Sequence, residues 1–181
     1  MGTRGVTTAL VLGGAGCVYE DIEAALKLFT PDAIAAVNAI GIEWPGRLDY
    51  WATLHPGEKK QWPGIVEAMR LRLMAGHNRP QTWCYKPFDG VDRHTSDWGG
   101  SSGLLAVKIL IEEGFTHIVG AGVPMTMNLA HFNDHKPWLA ANSYQRGWIR
   151  HRAEIEACFR SLSGWTRKEF GSPTANWLAG S

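Results

Sequence analysis

Residues 6–29 read VTTALVLGGAGCVYEDIEAALKLF, and the change of period inside this stretch decides the fold. Val6 to Leu12 is an uninterrupted β-rich run that stops at Gly13, as a strand buried on both faces does. From Tyr19 to Phe29 the apolar residues fall at Ile22, Ala25, Leu26 and Phe29, the spacing of one helix face. Between them, Gly13, Gly14 and Gly16 allow positive φ and close backbone approach. The helix beginning near Tyr19 points free amides into that turn, which favours an anion such as a phosphate. The turn has neither the GK[ST] of a Walker A loop nor the GxGxxG dinucleotide spacing.

The same alternation continues outward. Ala33 to Val37 reads as a second strand ending at Asn38, Tyr50 to Leu54 as a third and Gln81 to Tyr85 as a fourth. Glu58 to Ala75 carries the helical spacing Ile65, Met69, Leu73. Leu104 to Glu113 reads as a buried helix closed by Gly114, His117 to Gly120 as a fifth strand, and Ser143 to Phe159 as a later helix. Strands alternating with helices predict an α/β fold: a single Rossmann-like three-layer domain over residues 1–181 with a mostly parallel sheet. Such sheets bind ligands beyond the carboxyl ends of their strands, here the loops GGAGC, NAIG, HPGE and AGVPM.

Composition narrows the function classes. The 181 residues are 45% hydrophobic and 19% charged, and no window reaches the roughly 18 uninterrupted apolar residues of a membrane span. The expectation is a cytoplasmic protein without a membrane partner. Cys17, Cys84 and Cys158 are far apart and form no CxxC pair, against a disulfide framework or a thiolate zinc site. A net charge of +1 supplies no global field for nucleic acid, leaving a local basic segment at Arg146, Arg150, His151, Arg152 and Arg160. The 9 tryptophans offer packing and stacking surfaces.

Two further stretches carry candidate chemistry. In TSDWGGSSGLL, residues 95–105, Ser101 or Ser102 can cap the helix that follows, while Gly99, Gly100 and Gly103 let a ligand approach the remaining amides. Two helix starts facing one cleft suit a group with two phosphates, or a phosphate and a carboxylate. In HFNDHKPW, residues 131–138, His131 or His135 is the candidate general base on a loop. A metal site through His131, Asp134 and His135 needs a helix, and Asn133 with Pro137 argues for a loop, so no metal ligand is expected there. Asp97 is the remaining acidic candidate of the cleft. No G-x-S-x-G elbow is present.

GGAGCVYEDIE, AAVNAIG, YWATLHP and SSGLLAVKILIEEGFTHIVGAGVPM, taken in order, resemble the sialyltransferase-like and hydroxymethylpterin pyrophosphokinase-like group of Rossmann-type enzymes. The resemblance touches about 100 residues in those blocks, the SSG-helix-strand-GVP block most specifically. The chain as a whole, through SLSGWTRKEFGSP, also looks like small bacteriophage and prophage proteins. For the sialyltransferases the resemblance implies a cytidine nucleotide held at Gly13, Gly14, Gly16, Asn38, Ser102 and Gly103, with His131 or His135 as base. This chain departs at Gly14 and at Gly16-Cys17, where the group carries Asn and a Pro-Ser pair, and at Pro124, where it carries Asp.

These readings together predict a nucleotide-dependent transferase, glycosyltransferase-like, with a CMP- or UDP-type nucleotide-sugar donor and a modified DNA base or a glycan as acceptor. One alternative is ATP-dependent pyrophosphoryl transfer with Mg²⁺ on Asp97 and Asp49. The other is a non-catalytic nucleotide-binding or phage interaction protein.

Overall fold

The structure, a computed structural model, describes residues 5–59 and 62–180. In chain order it forms β1 (Thr8–Leu12), α1 (Val18–Leu28), β2 (Ala33–Val37), α2 (Ile40–Glu43), β3 (Tyr50–Thr53), α3 (Ile65–Met74), β4 (Gln81–Cys84) and β5 (Arg93–His94). There follow α4 (Ser102–Glu112), β6 (His117–Ala121), β7 (Ala130–His131), β8 (Asp134–Pro137), α5 (Ala141–Arg150), α6 (Arg152–Ile155), β9 (Phe159–Ser161), α7 (Gly164–Phe170) and α8 (Ala175–Leu178). Seven strands make one all-parallel sheet, ordered β5-β4-β3-β2-β1-β6-β9, and β7 with β8 makes a separate antiparallel hairpin. This is the α/β, Rossmann-like three-layer architecture expected from the alternation. Among the described residues no helix is long and apolar enough to cross a membrane.

The period-2 alternation of β1 sorts the two cores. Leu10 and Leu12 join Val18 and Ile22 of α1 and Ile65 and Ala68 of α3 on one face. Ala9 and Val11 join Leu104, Val107 and Leu110 of α4, Trp148 of α5 and Phe159 on the other. Small residues on β1 and β2 (Ala9, Ala33, Ala35) let α4 lie close against the sheet, so its helix is buried nearly all round. Leu12 pairs with Ala36 on one side and Ala121 on the other, so the loops after β1, β2 and β6 leave the sheet at one level.

Several elements differ from the sequence expectation, each for a local reason. The helix expected from Glu58 begins only at Ile65, because Pro63 and the left-handed Gly64 (φ 85°) interrupt it and Lys59 folds back onto Trp62. The single helix expected over Ser143–Phe159 is broken at His151, whose ring stacks on Trp98 with centroids 4.4 Å apart, and Phe159 opens strand β9. The basic segment is largely tied up as well: Arg152 pairs with Glu156 and Glu169, and Arg160 bonds the Glu156 and Phe159 carbonyls.

Two buried polar groups pin the connections. Arg72 of α3 is fully buried and spends five N–H bonds on neutral acceptors: the Gly41, Trp44, Gly46 and Asn78 carbonyls and Asn78 Oδ1. Asp21 Oδ2 accepts from the Gly122 amide at 2.8 Å and from Ser163 Oγ at 2.6 Å, tying α1 to the loop after β6.

Candidate functional site

At the carboxyl edge of β2 the chain turns through Asn38 in a left-handed conformation (φ 49°). Trp51 Nε1 donates to the Asn38 carbonyl at 2.8 Å, and the Asn38 side-chain oxygen accepts from Thr53 Oγ1 at 2.7 Å and Ser102 Oγ at 3.3 Å. With Oδ1 thus occupied on the protein side, the Nδ2 amide is the end of Asn38 left for the cleft. All three non-glycine residues with left-handed backbone among those described, Asn38, Met125 and Asn128, lie in loops of this edge, where such strain tends to collect in functional sites.

The start of α4 meets Asn38 from the other side. Ser101 is the cap: its Oγ accepts from the Leu104 amide at 3.3 Å. Ser102 Oγ instead turns to Asn38 and accepts from the Leu54 amide at 3.2 Å. The amides of Ser102 and Gly103 are the first two of the helix and have no helical carbonyl to donate to, so they and the helix dipole face the cleft. Gly103 is fixed by packing: a Cβ there would lie 2.8 Å from Val123 Cγ1. Gly99 and Gly100 are likewise crossed by α5, where a Cβ on Gly147 would lie 2.7 Å from the Gly99 carbonyl oxygen.

The glycine turn after β1 is built differently from the open anion cradle that its sequence suggests. None of Gly13, Gly14 and Gly16 has positive φ. The Gly13 amide donates to Ala121 O at 2.7 Å, Ala15 to Gly122 O at 3.2 Å, Gly16 to Ala130 O at 2.9 Å and Val18 to Ala15 O at 2.9 Å. A Cβ on Gly13 would sit 2.0 Å from the Gly122 oxygen, so glycine is required there by the backbone of the neighbouring loop. The turn walls the cleft, and the amides of Gly13, Ala15 and Gly16 hold the fold.

The HFNDHKPW segment is a hairpin and not a loop, with His131 opposite Asp134 across it. It zips onto the glycine turn, Phe132 N donating to Gly14 O at 3.0 Å. His131 Nδ1 lies 3.1 Å from the same Gly14 oxygen, and since a carbonyl only accepts, Nδ1 is the donor, so that in the neutral tautomer Nε2 is the nitrogen with the lone pair. The His131 ring tilts against Trp138, which stacks on Tyr144 of α5 with centroids 5.5 Å apart. His135 occupies the following strand β8, and its side chain lies outside the described residues. No helix brings His131 and His135 together, and among the described residues no group of three His, Cys, Asp or Glu is placed to hold a metal.

These pieces enclose one cavity of about 790 Å³ over the carboxyl ends of β1, β2 and β3, lined among others by Asn38, Ser102, Gly103, His131, Trp138 and Tyr144. Gly13, Gly14, Ser101 and Asp97 also line it, while Gly16 does not. No family model, curated protein or solved structure matches this chain. The site is therefore read from its own chemistry.

Asp97 closes an Asx turn, its Oδ1 accepting from the Gly99 amide at 2.9 Å. Its neighbour Trp98 is taken up in packing between His151 and the buried Lys108, which also bonds Thr95 and pairs with Glu112. Asp49 lies at the opposite edge of the sheet, before β3, where it accepts from the Ile34 amide and pairs with Arg47. Asp97 and Asp49 therefore do not face one cleft. Tyr144, Lys59 and Tyr85 also line the cavity and escaped the sequence reading, because nothing local in their segments marks a ligand.

Proposed function

We propose that the cleft binds a nucleotide and that the protein is a nucleotide-dependent transferase of glycosyltransferase type, with a CMP- or UDP-type nucleotide-sugar as donor. The observation that carries this reading is the convergence, in one cavity, of the first two amides of an 11-residue buried helix, an asparagine amide and a histidine with Nε2 available. The Ser102 and Gly103 amides take a phosphate of the donor, and the α4 dipole stabilises the charge that grows on it as it leaves. Asn38 Nδ2 donates to base or sugar. His131 Nε2 removes the acceptor hydroxyl proton as that oxygen bonds the sugar carbon and the bond from carbon to phosphate oxygen breaks, its electrons leaving with the nucleotide.

Titration calorimetry with CMP, UDP, GDP and ATP compounds tests the binding half. A cytidine or uridine nucleotide binds at micromolar concentrations, and Ser102→Ala, which removes the hydroxyl that holds Asn38 and Leu54, weakens it by about tenfold. Failure of the whole panel to bind wild-type protein contradicts the reading.

A further inference from the structure

A second lobe of about 270 Å³ opens off the main cavity and shares with it His55, Lys59 and Tyr85. Beyond these it is lined by Lys86 and Phe88, with Glu58 as its one carboxylate. Neither Lys59 nor Lys86 forms an ion pair among the described residues. Lys86 Nζ lies 5.2 Å from the centroid of the Tyr85 ring, and Phe88 is exposed. Two such ammonium groups and two aromatic rings around one recess are the combination that takes phosphate beside a planar ring. Burial first, and Lys59 second, push the His55 imidazole below its ordinary range.

We propose that this lobe is the acceptor subsite and that the acceptor carries a phosphate next to a planar ring, a nucleotide unit either free or within a strand. The proposal rests on the transferase reading for the word acceptor, but binding in the lobe can be measured without turnover. The main cavity holds the donor, and the lobe joins it through His55, Lys59 and Tyr85, so a nucleotide seated there reaches toward the reacting centre from the side of β3 and β4.

Fluorescence anisotropy with labelled hexathymidylate, compared with thymidine monophosphate as competitor, tests this over a salt series. In the Lys59→Ala/Lys86→Ala double variant the hexamer binds at least tenfold more weakly. The slope of log K against log salt falls by about 1.4, at roughly 0.7 for each single-strand phosphate that a lysine no longer neutralises. Thymidine monophosphate competing as tightly as the hexamer identifies a free nucleotide, and a much tighter hexamer identifies a strand; both support the subsite. A double variant with unchanged affinity and slope overturns it, as does wild-type protein that binds neither ligand. Displacement of the hexamer by the CMP or UDP donor also overturns it, and leaves the nucleotide cleft itself standing. Conversely, lysine-dependent binding of the hexamer with no donor binding keeps the subsite and removes the transferase reading.

Discussion

A His131→Ala variant loses about 10²–10⁴-fold in turnover while donor affinity stays within about threefold. Among the described residues the imidazole makes one hydrogen bond, from Nδ1 to the Gly14 carbonyl, beside its ring contact with Trp138, and that carbonyl is already fixed by the Phe132 amide. Removing the ring therefore deletes the base without moving the glycine turn, whose own amides bond Ala121, Gly122 and Ala130. Steady-state product formation gives turnover, and calorimetry on the same variant gives donor affinity. Unchanged turnover removes His131 from the chemistry; a collapse of donor binding alongside turnover shows that the ring holds the cleft and does not act as base.

Arg72→Met is the largest expected effect on stability, a loss on the order of 4 kcal/mol, read as the shift in urea unfolding midpoint at constant slope. The guanidinium uses its full set of five N–H donors, and methionine leaves the buried Gly41 carbonyl and the part-buried carbonyls of Trp44 and Gly46 without that donor. Those carbonyls belong to the connection that carries the chain from Asn38 back to β3, so the loss is felt at the cleft as well as in the fold. Arg72→Lys recovers little, since a single ammonium cannot reach acceptors spread around a planar fork. A variant within about 1 kcal/mol of wild type would mean that water replaces the guanidinium.

The strand, turn and helix of residues 6–29 were legible because periodicity is local: β1 and α1 fall within two residues of where the hydrophobic pattern places them. The state of the glycine turn was not, because the groups that consume its amides, Ala121, Gly122 and Ala130, lie more than 100 residues along the chain. The α4 start was legible in kind, as Ser-Ser-Gly before an apolar run is a capping pattern, although the division of labour between Ser101 and Ser102 needs the position of Asn38. Trp98 and Thr95, on either side of Asp97, are consumed by His151 and Lys108, neighbours that no local pattern announces. Strands β5 and β9 are too short to show a period, and β7 and β8 read as a loop because Asn133 and Pro137 are turn and edge residues that a hairpin also tolerates.

On this reading the anion site lies at the start of α4 and not in the first glycine turn, and backbone amide chemical shifts report its place directly. On titration with the tightest-binding nucleotide of the panel, the amides of Ser102 and Gly103 shift most, Asn38 Nδ2 shifts with them, and Gly13, Ala15 and Gly16 stay near their free positions. The largest shifts at Gly13, Ala15 and Gly16, with Ser102 and Gly103 unmoved, would contradict it.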